Sequence, residues 1–337
     1  MVFNPVITDH LFYLTVRLYT FSEMNGLYAL NPATGELAWN VPFERDKMWP
    51  DNFVYDHGNI IWQTYMNGKD SYLITALNAE TGTLTYTNNI ARKNGTAEFG
   101  AQVAYDHHLY FGDNMNQMYS LNADTGTTDW VVPAGNVGKH EAIGSLTASK
   151  NYLFRSNISG IDVINRKTGE KFFIRTTLNT DSRALDQIWD ETRQTLYVIS
   201  NGQHESELVA VDIEQRLVEW KLPLLIPDQL VLADDTLYVH DVSNTSNTMY
   251  EVNAITGKVN WSIPFGGGFG DMLATSDMIF FSSYRGTTTA ISRKSHEIIW
   301  TILEGGKISM DHNRLYIMGS TYEGESEGLK ITAVALN

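Results

Sequence analysis

The sequence has no cysteine among its 337 residues. Disulfide bonds, thiolate metal ligands and cysteine nucleophiles are therefore excluded. Long apolar runs are also missing: none approaches the roughly 20 residues that a membrane-spanning helix needs, so we expect no integral membrane segment. The opening segment, Met1–Phe21, lacks a basic start and carries Asp9, His10 and Arg17. This composition argues against a signal peptide and predicts a cytoplasmic protein.

Positive charge is scarce as well. The chain carries 24 Lys and Arg against 39 Asp and Glu, which gives a formal net charge of −15. A protein this acidic has no general attraction for nucleic-acid phosphates or anionic lipids, so we expect no nucleic-acid partner. Apolar residues make up 43% of the chain and charged residues 19%, proportions typical of a folded domain and not of a disordered chain.

What the chain does have is an internal repeat. The segment Ala29–Trp39 reads ALNPATGELAW, an Asn and a Thr-Gly pair followed by an aromatic residue. Related segments recur at Ala76–Tyr86, Ser120–Trp130, Val163–Phe173, Ala210–Trp220, Glu251–Trp261 and Ala290–Trp300. The last three residues, Ala335–Asn337, match the start of an eighth copy. Eight units of about 42 residues therefore account for the whole chain.

Each unit has the pattern of four short strands. In the third unit the strands are Gln102–Tyr105, Leu109–Phe111, Met118–Asn122 and Thr128–Val132, separated by turn-forming residues. No segment shows sustained helical periodicity. Four strands in about 42 residues are typical of a β-propeller blade, so the sequence predicts an all-β, eight-bladed propeller with four-stranded antiparallel blades. We expect one domain spanning residues 1–337, with the ring closed by the N- and C-terminal strands.

The repeated residues have structural roles in such a blade. The Asn or Asp accepts hydrogen bonds within a tight turn, and Gly supplies the positive φ that the turn needs. Arg216 and His296 replace this Gly in units five and seven, so a strained or reshaped turn is expected there. The aromatic residue that ends the segment is expected to dock between neighbouring blades. The predicted docking residues are Trp39, Tyr86, Trp130, Phe173, Trp220, Trp261 and Trp300.

The pattern Ala-x-Asn/Asp-x-x-Thr-Gly-x-x-x-Trp resembles the tryptophan-docking repeat of the pyrroloquinoline quinone (PQQ)-like β-propeller family. That family includes quinoprotein alcohol dehydrogenases and a non-enzymatic, BamB-like branch, and the resemblance covers nearly the full chain. It implies an eight-bladed ring, but not quinoprotein chemistry. The enzymes hold Ca²⁺ and a quinone beside a disulfide of adjacent cysteines, whereas this chain has no cysteine and is far shorter. We therefore expect no cofactor and no metal ion.

Two motifs suggest chemistry but have a simpler structural interpretation. Asp-His pairs occur at Asp9-His10, Asp56-His57, Asp106-His107 and Asp311-His312. Each falls in the turn between the first two strands of its unit, where polar turn-formers belong, and equivalent turns on different blades are expected to lie too far apart to share a ligand. The segment Gly266–Gly270 is not followed by a helix start, so it is expected to connect blades and not to bind phosphate.

The longer and less regular connections point to a binding surface. The links between the second and third strands, and between blades, emerge on one face of a propeller. Several of them carry basic or aromatic residues, the types that most often anchor interfaces. The candidate binding residues on this variable-loop face are Arg45, Lys47, Trp49, Arg92, Lys93, His140, Arg175, Arg183, Phe265, Phe269 and Arg285.

These observations favour a non-enzymatic scaffold, a monomer that binds a protein or peptide through the variable-loop face. One alternative is an enzyme with a site in the central channel, either a carbohydrate-active hydrolase or lyase or a cofactor-dependent oxidoreductase. Another is an acidic inhibitor of a basic partner, of the kind that immunity proteins represent. If an export signal upstream of Met1 has been removed, the expected location becomes the periplasm or cell envelope.

Overall fold

The fold consists of short antiparallel strands. The computed structural model describes residues 2–16, 25–43, 52–65, 71–91, 99–113, 117–133, 145–157, 160–176, 183–201, 206–242, 247–264, 270–284, 286–311, 313–323 and 326–336. Every regular element in these ranges is a β-strand. The described residues include no helix long and apolar enough to cross a membrane.

The strands form eight separate sheets, numbered here as blades one to eight in chain order. The strands of blades one to four, β1 to β16, are Val2–Ile7, Phe12–Val16, Gly26–Leu30, Leu37–Pro42, Val54–Asp56, Asn59–Tyr65, Ser71–Asn78, Leu84–Ala91, Phe99–Tyr105, His108–Asp113, Gln117–Asn122, Thr128–Pro133, Leu146–Ala148, Tyr152–Asn157, Gly160–Asn165 and Lys171–Arg175. Four consecutive strands make each of these blades, paired antiparallel in sequence order.

Blades five to eight continue in the same way. Their strands, β17 to β31, are Arg183–Asp190, Thr195–Asn201, Ser206–Asp212, Leu217–Leu224, Pro227–Ala233, Thr236–Val242, Asn247–Asn253, Val259–Pro264, Gly270–Ala274, Met278–Ser283, Thr288–Ser292, Ile298–Ile302, Lys307–Asp311, Arg314–Glu323 and Ser326–Ala335. In the part of the chain that the structure describes, blade eight has the three strands β29 to β31 and the other blades have four each.

The blades form a closed ring. The first strand of one blade contacts the first strand of the next along the series from β5 to β29, and β29 contacts β1. Between blades eight and one, the rings of Phe12 and Tyr316 stack with their centroids 5.4 Å apart. The Tyr316 hydroxyl also donates to the carbonyl of Pro32 at 3.0 Å. The predicted all-β, eight-bladed propeller is therefore confirmed.

The two kinds of tight turn lie on the same face of each blade, which we call the short-turn face. In blade two, the amide of Ala79, after the third strand, donates to the carbonyl of Gly58, between the first two strands, at 2.8 Å. The amide of Ala123 donates in the same way to His107 in blade three, also at 2.8 Å. The connections between second and third strands, and between blades, therefore emerge on the opposite, variable-loop face.

The Thr-Gly turns follow the chemistry that the sequence indicates. Asn31 Oδ1 accepts hydrogen bonds from the amides of Ala33 at 2.8 Å and Thr34 at 3.1 Å, and Gly35 has a φ of 74°. Arg216 and His296 adopt the same left-handed conformation, with φ of 58° and 61°. The turns of blades five and seven therefore keep their shape, at the cost of backbone strain in a residue that carries a Cβ.

The aromatic residues on the fourth strands reach the next blade. The Trp39 indole Nε1 donates to the carbonyl of Ala79 at 3.0 Å, and the Tyr86 hydroxyl donates to Ala123 at 2.9 Å. Trp130 and Trp220 make equivalent bonds to Arg166 and Ala254, at 2.9 and 3.1 Å. Trp261 stacks on His296, with ring centroids 4.3 Å apart.

Blade four differs from the other blades at this position. The fourth strands of the other four-stranded blades carry a register irregularity beside the docking residue, but β16 pairs with β15 without one. As a result Phe172, not Phe173, lies opposite Val163, where the repeat places its docking residue. Arg216 of blade five lies over the Phe172 ring at 4.0 Å, whereas Phe173 is 44% exposed.

Candidate functional site at the channel mouth

The described part of the variable-loop face belongs mainly to blades five to eight. Most of the predicted binding residues lie outside the described residues: Arg45, Lys47, Trp49, Arg92, Lys93, His140, Phe265, Phe269 and Arg285. Arg175 is exposed at the end of β16, and Arg183 begins β17. Both lie at the variable-loop end of their strands, as the sequence predicts. Gly270, the last residue of the glycine-rich segment, begins β25.

A row of charged side chains lies at the mouth of the central channel. The first strand of each blade starts at the variable-loop face and lines the channel, so residues near its start lie at the mouth. Asp186 of β17, Asp228 of β21 and Asp271 of β25 occupy such positions in three consecutive blades. Lys307 begins β29 in the next blade. We call these four residues the acidic mouth.

Asp186 is a member of the acidic mouth with a shifted pKa. Burial raises its pKa to about 6, and the nearby charges of Asp228 and Asp271 act in the same direction. Hydrogen bonds from the amides of Gln187, at 2.9 Å to Oδ1, and Leu230, at 3.1 Å to Oδ2, oppose the rise because they favour the carboxylate. The Leu230 bond crosses from blade five to blade six. Asp186 therefore links two blades and is also a carboxyl group whose pKa is raised to about 6.

The other members of the acidic mouth have partners as well. Asp228 Oδ1 lies 2.8 Å from Nδ1 of His240, an imidazole with no exposed surface. Asp271 Oδ2 accepts from the amide of Ile308 at 3.0 Å, and its Oδ1 lies 3.7 Å from Lys307 Nζ. Burial lowers the pKa of Lys307, but the charges of Asp271 and Tyr284 more than offset this, so the net shift is upward.

Exposed apolar side chains lie on the same face as the acidic mouth. Leu225 and Ile226, between β20 and β21, are 63% and 42% exposed. Leu303, between β28 and β29, is 88% exposed, and Tyr284, after β26, is 42% exposed. The amides of Leu225 and Ile226 both donate to the carboxylate of Asp241, which is 3% exposed. A buried carboxylate thus fixes the backbone that presents two apolar side chains to solvent.

Sequence reasoning missed this apolar set because it looked for basic and aromatic residues in long connections. Leu225 and Ile226 form a connection of only two residues between β20 and β21. They continue the apolar run of β20, so the sequence pattern predicts a single strand here. The available signal was Pro223 and Pro227, which flank the pair and mark an interruption of the strand. Arg175 and Arg183 were predicted because they are basic and fall in such connections.

The acidic mouth does not fit the metal-quinone centre of the quinoprotein dehydrogenases. Five of its six carboxylate oxygens are engaged by backbone amides, by His240 or by Lys307. Within the described ranges, the group of His, Asp and Glu side chains close enough to hold a metal ion lies elsewhere, at Asp56, His57 and His107. We therefore derive no chemistry through a quinone or its metal ion.

That group corrects one expectation. The Asp-His pairs of different blades were expected to lie too far apart to share a ligand. The structure instead places one ligand atom from each of Asp56, His57 and His107 within 4.8 Å of the other two. The expectation was wrong because side chains from the hairpin turns of two adjacent blades, His57 and His107, stack on the short-turn face. Asp106 takes no part, since it lies 3.7 Å from Arg166.

Comparison with solved structures places the fold among known propellers. BamB from Moraxella catarrhalis superposes with a TM-score of 0.68 at 14% identity, covering 94% of this chain and 93% of that chain. A computationally designed protein, Ika8, gives 0.71 at 9% identity, with coverage of 94% and 92%. The quinohemoprotein alcohol dehydrogenase ADHIIG from Pseudomonas putida HK5 gives 0.65 at 11% identity, covering 94% of this chain and 69% of that one.

The sequence comparisons are more specific. The search of curated proteins found no match. A family model described as outer membrane protein assembly factor BamB matches residues 23–263 and 231–321, which together span most of the chain. This match agrees with the eight repeats and with the docking contacts between blades. The chain therefore belongs to the BamB family of outer membrane protein assembly factors.

Proposed function

We propose that the protein is a non-enzymatic scaffold that binds a protein or peptide segment across the acidic mouth on its variable-loop face. The observation that carries this proposal is the set of exposed apolar side chains, Leu225, Ile226, Tyr284 and Leu303, on the same face as the acidic mouth. Rigid apolar side chains beside fixed charges are typical of surfaces that bind a defined segment. The membership in the BamB family supports a protein partner.

The chemistry of the face indicates what that partner looks like. Asp186, Asp228 and Asp271 place negative charge at the mouth, within a chain whose formal net charge is −15. Such a surface attracts basic groups and speeds their association, while the apolar side chains supply the buried area. The partner segment therefore combines Lys or Arg with large apolar residues. The role that gives the family its description, assembly of outer membrane proteins, favours the cell envelope over the cytoplasm as the location.

The test selects peptides against the intact protein from a random displayed library and measures the affinity of the selected peptide by calorimetry. The face variant carries Leu225→Ser, Ile226→Ser and Leu303→Ser. The control variant carries Leu37→Ser, Leu84→Ser and Ile255→Ser, three comparably exposed residues of the short-turn face. We expect the face variant to bind at least tenfold more weakly and the control to bind within twofold. Equal affinities for wild type and face variant would contradict the proposal.

The raised pKa of Asp186 supports a second candidate, an enzyme with its acid in the central channel, because catalytic carboxyls often titrate near neutral pH. An assay of the purified protein against alcohols and glycosides tests this function. Turnover that is lost in Asp186→Asn with the fold intact would favour the enzyme. Peptide binding without turnover favours the scaffold.

A further inference from the structure

On the short-turn face, two histidines from adjacent blades lie ring against ring. His57 is in the turn between β5 and β6, and His107 is in the turn between β9 and β10. Their ring centroids are 3.6 Å apart and their planes differ by 20°. Asp56 lies beside them, and one ligand atom from each of the three residues lies within 4.8 Å of the others. We propose that Asp56, His57 and His107 bind a divalent transition-metal ion, with Zn²⁺ as the best match.

The donor set selects the class of metal ion. Two imidazole nitrogens and one carboxylate oxygen suit Zn²⁺, Ni²⁺ and Cu²⁺, whereas Ca²⁺ and Mg²⁺ prefer sites made of oxygen alone. Tetrahedral ligands of Zn²⁺ lie roughly 3.3 Å from one another, given bonds of about 2.0–2.2 Å. The His57 and His107 side chains are 49% and 45% exposed, so either ring has room to rotate toward this spacing.

Asp56 supplies an independent reason to place a cation here. Its side chain is 7% exposed, and its Oδ1 lies 3.1 Å from His57 Nδ1. Its Oδ2 is buried and has no hydrogen-bond partner among the residues that the structure describes. A buried carboxylate oxygen without a partner destabilises the folded protein, because it has lost water and gained nothing in exchange. A metal ion bound between Asp56 and the two imidazoles removes that penalty.

Asp124 orients one of the imidazoles. Its Oδ2 lies 2.9 Å from His107 Nδ1, so this nitrogen carries the proton and Nε2 keeps its lone pair for a metal ion. Carboxylates commonly hold metal-binding histidines in this way. Asp124 is therefore a positioning residue and not a ligand. It lies in the Thr-Gly turn of blade three, which the amide of Ala123 ties to the carbonyl of His107 at 2.8 Å.

The first experiment titrates tag-free protein with ZnCl₂ and follows binding by calorimetry. We expect one ion per chain, at least tenfold weaker binding in His57→Ala and in His107→Ala, and affinity within twofold of wild type in His108→Ala. His108 is the matched control because it adjoins His107 but its Nδ1 contacts the carbonyl of Asp106 at 2.7 Å. Binding that is unchanged in both ligand variants, or equally weakened in His108→Ala, would overturn the proposal.

Two further measurements separate loss of ligands from loss of fold. Asp56→Asn preserves the shape of the side chain, and it should lower Zn²⁺ affinity at least tenfold with an unchanged circular dichroism spectrum. With Co²⁺ in place of Zn²⁺, a visible spectrum of tetrahedral type is expected for wild type and its absence would contradict the site. For Asp124, histidine NMR should show His107 protonated at Nδ1 in wild type and a mixture of tautomers in Asp124→Asn.

Discussion

Gly35 and Gly82 occupy the same position of the Thr-Gly turn in adjacent blades, with φ of 74° and 69°. A Cβ on Gly82 would lie 2.7 Å from the Trp39 indole, whereas a Cβ on Gly35 would have no described atom within 4 Å. We expect Gly35→Ala to cost about 1–2 kcal/mol of unfolding free energy through the left-handed backbone alone. Gly82→Ala should cost a further ~1–3 kcal/mol, because the indole must move. Urea unfolding of both variants measures the difference, and equal losses would contradict the docking role of Trp39.

Residue-level features were predictable from sequence where their cause is local. The Asn, Thr and Gly of a Thr-Gly turn are neighbours in the chain, so the hydrogen bonds of Asn31 and the φ of Gly35 follow from the motif. The replacements at Arg216 and His296 were visible, but their outcome was not. His296 stacks on Trp261 of the preceding blade, and sequence alone does not reveal such a contact between blades.

At the scale of the element, blade four shows how the absence of one register irregularity changes which residue docks. Because β16 lacks the irregularity found in the other fourth strands, Phe172 takes the docking position and Phe173 faces outward. We expect Phe172→Ala to cost about 3 kcal/mol, since a large ring leaves the interface between blades four and five. Phe173→Ala should cost about 1 kcal/mol or less. Urea unfolding distinguishes the two, and a larger loss at Phe173 would show that the repeat register holds in blade four.

Strand register was the element-level property that sequence could not supply. The segment Val163–Phe173 aligns correctly with the other units at its Thr-Gly turn. Counting onward from that turn without a change of register predicts Phe173 as the docking residue. A bulge changes the face of every later side chain in a strand, yet it leaves no clear mark in a segment of two adjacent phenylalanines. The existence and order of the strands were predictable because four apolar runs recur in each unit.

At the scale of the whole molecule, the repeat predicted the ring but not which residues the ring brings together. His57 and His107 lie 50 positions apart in the chain, and their stacking depends on how two blades lean toward each other. The acidic mouth has the same origin, since Asp186, Asp228 and Asp271 meet only because consecutive first strands pack side by side. Such sites combine positions from several repeats, and the spacing within one repeat carries no information about them.

The acidic mouth makes the stability of the whole ring depend on pH. Burial raises the pKa of Asp186 to about 6 in the folded protein, whereas an unfolded chain has an ordinary value of about 3.9. The folded state therefore binds this proton more tightly. The resulting stabilisation is complete below about pH 4 and is lost as the pH rises through about 6. Because one pKa unit corresponds to 1.36 kcal/mol, the loss of unfolding free energy from this group is up to about 3 kcal/mol.

Urea unfolding of wild type and Asp186→Asn at pH 4.5 and pH 7.5 measures this effect. The substitution also removes an acceptor of the Gln187 or Leu230 amide, but that cost is the same at both pH values and cancels in the comparison. We expect the stability of Asp186→Asn relative to wild type to rise between pH 4.5 and pH 7.5. Asp271→Asn should move the wild-type transition to lower pH, because it removes a charge that raises the pKa of Asp186. Parallel pH profiles for wild type and Asp186→Asn would mean that Asp186 titrates with an ordinary pKa and that the mouth is more hydrated than its packing indicates.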